Sequence, residues 1–333
     1  MSRRTRFTSL AALATAGVLL LSACTSGSPS GDPDPTGDTD PGTTDELTEI
    51  NVGLLAIAPS AAVTYGINEG IFEKHGLDVE VTIQEGGAAM LPAVSTGQLD
   101  FGVGNPLSVL VASSQGVDVR VATGYSFSLE EGDDINAIVT RAGDGIDSWS
   151  DLEGKRVSVN AVNTQGDLTI MESVAKDGGD PSAVNFIEIG FADALAQLDS
   201  NNVDAVWIPE PFMSAAIADP EKYSVLGYPN QNIIPGLPTM VTFTSGAVAE
   251  DAETLEKWRA ALGETLDAAN DDRAGLAAAI AELTPLPEAA ALDLRLERLS
   301  ADIDPQVLID LSDLALKYDF MDTEPDLDTV IIP

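Results

Sequence analysis

The sequence predicts an α/β protein of two similar lobes, and three features predict it. From Leu47 onward, short β-branched runs alternate with helical segments and Gly-marked turns, the pattern of βαβ units around a mostly parallel sheet. The same plan recurs about 104 residues later. After Thr239 the chain gives one strand-like run and then turns nearly all helical, so it reads as a segment that returns to cover the first lobe.

Composition narrows the chemistry. Apolar residues make up 44% of the 333, enough for a large core. Against 16 Lys+Arg stand 54 Asp+Glu, a net charge of -38 that repels phosphate backbones and excludes nucleic acid as a partner. With one Cys and one His, internal disulfides, Cys/His zinc clusters and Ser-His or Cys-His catalysis each lack parts. No catalytic residue, metal or cofactor is therefore expected.

The elements follow in order. Arg3, Arg4 and Arg6 precede an apolar run over residues 10–21, about 12 residues, too short to span a bilayer and right for the core of a signal peptide. Residues 1–23 are expected to direct export, by either the general or the twin-arginine route. Leu21-Ser22-Ala23-Cys24 resembles a bacterial lipobox, so Cys24 is expected to be lipidated and to anchor the protein at the outer face of the cytoplasmic membrane. Residues 25–46 contain only Thr, Ser, Gly, Pro, Asp and Glu; with Cys24 they read as an extended tether.

Residues 50–57 read as a strand and residues 60–74 as a helix stopped at Gly76. Residues 79–83 give the next strand. A helix over 88–95, broken early by Pro92, leads to a strand over 99–103 and to the helix start at Asn105-Pro106. Residues 117–123 complete the lobe. In the repeat, residues 156–159 match the first strand, and Ile83, Gly86, Ala88, Leu91 and Asp100 return as Ile187, Gly190, Ala192, Leu195 and Asp204. A strand over 240–244 and helices over 251–269, 277–283, 288–299 and 305–316 follow. The first lobe would comprise 47–128 plus 240–333 and the second 129–239, joined by two crossings that form a hinge.

Four motifs carry a resemblance. The stretch from Gly70 to Val79 is similar to the G-x-F-x-x-x-G-L-D-V segment of periplasmic binding proteins of the nitrate, sulfonate, taurine and thiamine-precursor import group. Gly97-Gln98-Leu99-Asp100-Phe101-Gly102, Asp151-Leu152-Glu153-Gly154-Lys155-Arg156-Val157, and Val203-Asp204-Ala205-Val206 followed by Glu210-Pro211-Phe212 occur in the family's order. The resemblance implies a type II periplasmic-binding-protein fold and a monomeric solute-binding component of an ABC importer. It would close on a sulfonate/taurine-like or thiamine-precursor, pyrimidine-like solute and then dock on a membrane permease. The pyrimidine-forming enzymes of thiamine synthesis share the fold but resemble suicidal catalysts with a His and a Cys-rich loop, equipment absent here. A lipoprotein that presents solute to a receptor is the third reading.

Ligands of open α/β sheets sit beyond the carboxyl ends of strands, so the candidates lie there. Pro59, Ser60 and Ala61 follow the first strand and Gly87 and Ala88 the second; their small size permits close approach, as it would in ordinary turns. Asn105 can bond a ligand or simply cap its helix. Tyr125 and Ser126 stand where the chain leaves the first lobe. Thr164, Gln165 and Asp167 occupy the matching loop of the second lobe, where Thr164 and Asp167 suit a helix start equally well. Glu210, between two prolines, could hold a ligand amine or ring N–H, or serve as an exposed helix-start acid. Trp207 reads as core. None of these loops carries Lys or Arg, which favours neutral, zwitterionic or cationic ligands, although helix N-termini can hold one negative charge.

Overall fold

In the first half of the chain β1 (Thr48–Leu55), α1 (Ala61–Asn68), α2 (Ile71–Lys74), β2 (Leu77–Gln84), α3 (Gly87–Ser95), β3 (Phe101–Gly104), α4 (Pro106–Ser114) and β4 (Val119–Phe127) succeed one another. The structure is a computed structural model that describes residues 47–332; the expected leader, Cys24 and the tether lie outside the described residues. The second half repeats the order with β5 (Asn136–Arg141), β6 (Arg156–Val159), α5 (Gln165–Lys176), β7 (Asn185–Glu188), α6 (Phe191–Asp199), β8 (Ala205–Pro209), α7 (Phe212–Ile217), β9 (Tyr223–Gly227) and α8 (Pro229–Ile233). The chain then returns through β10 (Pro238–Ser245), α9 (Gly246–Glu250), α10 (Ala252–Asp271), α11 (Arg273–Leu283), α12 (Glu288–Ala291), β11 (Arg298–Leu299), α13 (Pro305–Lys317) and α14 (Leu327–Val330).

Two sheets result, ordered β11-β4-β10-β3-β1-β2 and β7-β6-β8-β5-β9. In the first, β1, β2, β3 and β4 run one way and β10 and β11 the other; in the second, β5 alone among the described strands runs against β6, β7, β8 and β9. Each reversed central strand is the first one laid down after the chain crosses from the other sheet.

The repeat is visible in the backbone. Gly97 and Asn201 both take left-handed conformations, φ 72° and 56°, just past the ends of α3 and α6. Their N–H groups donate to Val94 O at 3.0 Å and Leu198 O at 3.1 Å. Three residues beyond the glycine and the asparagine, in the chain leading to β3 and β8, the Asp100 and Asp204 carboxylates accept the N–H of Asn51 at 2.7 Å and of Arg156 at 2.9 Å. The first strand is one residue out of step: Arg156 stands where Asn51 does.

Three sequence expectations are corrected. The helix over 60–74 is two helices, because Gly70 at φ 67° turns the chain between them. Pro92 does not break α3, whose Met90, Leu91 and Val94 are buried against the core while the proline side chain faces out. The helix over 288–299 ends at Ala291; beyond it the chain is extended, and Arg298 and Leu299 pair with Phe127 and Ser126 of β4.

The returning helices cover the first sheet. Trp258 of α10 stacks on Phe101 of β3 at 4.2 Å between ring centroids and on Phe72 of α2 at 5.5 Å, a fully buried aromatic set worth about 0.5–1.5 kcal/mol per pair beyond its area. The second sheet is buried on both faces with period two: Ile138 and Ala205 face one cluster, Val139 and Val206 the other.

Candidate functional site

The carboxyl ends of the parallel strands and the amino ends of the reversed β5 and β10 meet at one cleft. The first sheet supplies Leu55, Ile57 and Pro59 after β1, Gly104 and Asn105 after β3, Gly87 of α3, and Thr239 and Met240 of β10. The second supplies Asn136 of β5, Asn160 after β6, Gln165 of α5, Phe191 of α6, Trp207 and Pro209 of β8, and Asn230. Glu297 enters from the extended segment between α12 and β11. Small residues build the floor: a Cβ on Gly104 would lie 2.7 Å from Gly87 Cα, so the two backbones touch there.

Several polar atoms in this wall are buried without a partner. Gln165, 1% exposed, spends its Nε2 on Pro238 O at 2.9 Å across the two sheets, which fixes the amide and leaves Oε1 unbonded. Asn230 Oδ1 and Trp207 Nε1 are buried and unbonded as well. Trp207, 8% exposed, packs into the second core and lines the cleft at once, with Phe191 tilted at 60° against it at 5.7 Å. Its close seat depends on Gly166, where a Cβ would fall 2.7 Å from the indole. Asn105 Oδ1 accepts Ser108 N at 2.9 Å, capping α4, so its amide nitrogen is the end left for the cleft.

Glu297 is the one acidic or basic side chain among these lining residues. It is 7% exposed; Oε1 accepts from Asn136 Nδ2 at 3.0 Å and Oε2 from Thr239 Oγ1 at 2.7 Å, tying β5 to β10. Burial pushes its carboxyl up to about 7, with the Asp134 charge adding to the rise and hydrogen bonds from Ser126, Thr239 and Asn136 opposing it.

Of the residues expected from sequence, Pro59, Gly87, Asn105 and Gln165 line the cleft. The others stand behind it. Ser60 and Ala61 are buried in the first turn of α1, and Ala88 packs against the core. Tyr125 is fully buried, its hydroxyl 3.0 Å from the carbonyls of both Pro59 and Ser60. Ser126 Oγ bonds Thr239 Oγ1 at 2.8 Å, beside the Glu297 carboxylate that both hydroxyls favour in its charged form. Thr164 and Asp167 form a capping box: Asp167 accepts the N–H of Asn163 at 2.6 Å and of Thr164 at 2.8 Å. Burial nevertheless raises the Asp167 carboxyl to about 6. Glu210 is buried and not exposed, its carboxylate taken by Ser214 N and Oγ at 2.9 and 2.8 Å; its carbonyl accepts Ala58 N at 3.2 Å, joining the sheets. His75 lies elsewhere, 2.8 Å from Glu264.

Sequence reading missed Asn136, Thr239, Met240 and Glu297 for a shared reason. The sequence marks residues that follow strands, whereas β5 and β10 run backwards and present their amino ends, and Glu297 falls within an expected helix. Asn160 follows β6, Phe191 opens α6 and Asn230 lies in α8, none of them in a loop that the sequence marks as a candidate.

The family described as NMT1/THI5 like matches residues 59–273. A protein of Brucella abortus (strain 2308) named as a binding protein is 25% identical over 223 residues, 66% of each chain, so the match spans just under two thirds of that relative. A Brachyspira hyodysenteriae protein named as an ABC transporter periplasmic binding protein is 24% identical over 182 residues, 52% of each. Among solved structures, the alkanesulfonate-binding protein SsuA from Xanthomonas axonopodis pv. citri, bound to MOPS, superposes with a TM-score of 0.72 at 17% identity, covering 86% of this chain and 98% of that one. The fold is that of the periplasmic binding proteins.

Proposed function

The chain belongs to the NMT1/THI5-like family, and on that premise we propose that it is the solute-binding component of an ABC importer. Residues 1–23 direct export, lipidated Cys24 holds the protein at the outer face of the cytoplasmic membrane, and residues 24–46 tether it. Residues 47–128 with 240–333 form one lobe and 129–239 the other; the lobes close on a small organic solute and deliver it to a permease. Pro59, Gly87, Asn105 and Gln165 touch the solute, while Ser60, Ala61, Ala88, Tyr125, Ser126, Thr164, Asp167 and Glu210 hold the loops in place. The protein acts as a monomer and does no covalent chemistry.

The observation that carries the reading is that Gln165 Oε1, Asn230 Oδ1 and Trp207 Nε1, all buried and unbonded, converge on one cleft between two sheets. A buried polar atom left without a partner costs about 1–3 kcal/mol, which a bound solute recovers. Between the two expected solute classes, the lining favours a flat nitrogenous compound over a sulfonate: it offers amides, two aromatic faces and a carboxyl, and no Lys or Arg. Two related readings meet difficulties. An enzyme of the pyrimidine-forming kind needs a histidine at the cleft, and His75 is paired with Glu264 outside it. A receptor-presenting sensor would use the same cleft and differs only in the membrane protein it contacts.

Native mass spectrometry of freshly purified protein, with small-angle scattering before and after the solute is removed, tests the proposal. A trapped small molecule whose loss expands the particle is expected. Absence of any trapped solute, with no compaction across a panel of sulfonates, amines and pyrimidines, would overturn it.

A further inference from the structure

Resting on that reading of the cleft, we infer that the solute is a small planar cation with at least two N–H donors, an amidinium or guanidinium, and that Glu297 is the residue that selects it.

The pattern of unmet hydrogen bonds points this way. The free groups at the cleft are two amide acceptors, Gln165 Oε1 and Asn230 Oδ1, with the lone pairs of Glu297 not used by Asn136 and Thr239, against two donors, Trp207 Nε1 and the Asn105 amide nitrogen. The Gln165 assignment is secure because its Nε2 must face the Pro238 carbonyl. Acceptors of this kind, spread over one pocket, call for a ligand rich in N–H groups. Trp207 and Phe191 supply aromatic faces on which a flat delocalised cation is attracted by the ring quadrupole.

Charge points the same way. Glu297, Asp134 and Glu210 are three buried carboxyls around this part of the hinge. Arg295 acts electrostatically on Glu210, and it is engaged by Asp133 at 2.9 Å and by Tyr228 at 3.0 Å. Arg298, on the same segment as Glu297, lies over the Phe127 ring at 4.4 Å. The Asp134 carboxyl acts against a charge on Glu297. Nothing in the lining therefore balances an ionised Glu297, and a ligand cation would. A sulfonate would meet that carboxyl with no cation to offset it.

The charge of the trapped solute and the binding of three probes decide the matter. Titration calorimetry would compare benzamidinium, uncharged benzamide and benzenesulfonate on the full folded protein and on Glu297→Gln, at pH 8 and pH 5.5. Benzamidinium stays charged over this range while Glu297, whose carboxyl is raised to about 7, does not. Its affinity should fall about 30-fold at the lower pH, and by about 10–100-fold in Glu297→Gln with the pH dependence removed. Benzamide should change little in either case. The wild-type pH profile stands by itself if the variant folds poorly. A trapped sulfonate or uncharged solute, benzenesulfonate or benzamide outbinding benzamidinium, or an equal loss for every probe in Glu297→Gln would overturn this inference and leave solute capture standing. An empty cleft that binds nothing would sink both.

Discussion

Lys317 Nζ, at the end of α13, lies 2.5 Å from Glu172 Oε2 in α5, and so joins the helix covering the first sheet to a helix of the second. Tyr318 donates to the same oxygen at 2.6 Å. Burial acts to raise the Glu172 carboxyl, yet the bonds from Lys317 and Tyr318 outweigh it and hold the group below its ordinary value. A carboxyl depressed in this way contributes above its unfolded pKa and loses its effect as pH falls through the folded one.

Lys317 is half exposed, so the pair is worth no more than about 1 kcal/mol. If it latches the lobes, Lys317→Met should shift the closed-to-open ratio by about fivefold. The scattering radius of the unliganded protein should grow, with little change in melting temperature. An unchanged radius would show that this contact does not restrain the lobes.

Tyr125→Phe should lower stability by about 1–3 kcal/mol, because the Pro59 and Ser60 carbonyls lose their shared buried donor. Solute affinity should fall with it, since Pro59 lines the cleft. Differential scanning calorimetry should show a melting point lower by a few degrees; an unaltered one would remove the hydroxyl from the account.

Stability should decline as pH rises from about 4 to about 7. Asp167 is raised to about 6 and Glu297 to about 7, both chiefly by burial. A raised acid binds protons more tightly folded than unfolded, so its contribution is largest below the unfolded pKa and is lost through the folded one. Each amounts to something on the order of 3 kcal/mol. Relief of the -38 net charge acts in the same direction. Urea melts of the solute-free protein at pH 5 and pH 7.5 check the sign, and Asp167→Asn should reduce the slope; greater stability at pH 7.5 would contradict it.

Gly104→Ala should disturb the cleft floor, because its Cβ would press on backbone, 2.7 Å from Gly87 Cα, with no flexible side chain to give way. Solute binding should drop at least tenfold, while circular dichroism retains the α/β spectrum. Full binding by this variant would show that the floor is not a contact surface.

Cys24→Ser should leave the protein exported but no longer membrane-bound, moving it from the detergent phase to the aqueous phase on Triton X-114 partitioning. Retention in the detergent phase would mean that something other than a lipid holds it.

The fold was legible where local signals agree. Asp100 and Asp204 keep the same backbone contact, and Gly97 and Asn201 the same left-handed turn, so the repeat could be read from residue types alone. Glu297 could not be placed, since Glu288 to Leu299 carries a helical apolar spacing that pairing with β4 overrides. Tyr125, Thr164 and Asp167 stood out as polar residues at strand ends. Their polar groups turn out to be occupied by the backbone, a commitment that sequence does not display. Asn136 and Thr239 lay hidden because strand direction is a property of the assembled sheet.

Threading β10 between β3 and β4 also dictates a timetable. A chain emerging from the export channel amino end first would bring out residues 47–128 with those two strands facing a gap, each displaying an unmet row of amide and carbonyl groups until residue 245 arrives. The first half could not be severed and matured alone, whereas β5 to β9 complete the second sheet within residues 136–227, and a translocation stall before residue 245 would leave an adhesive intermediate for quality-control proteases to remove.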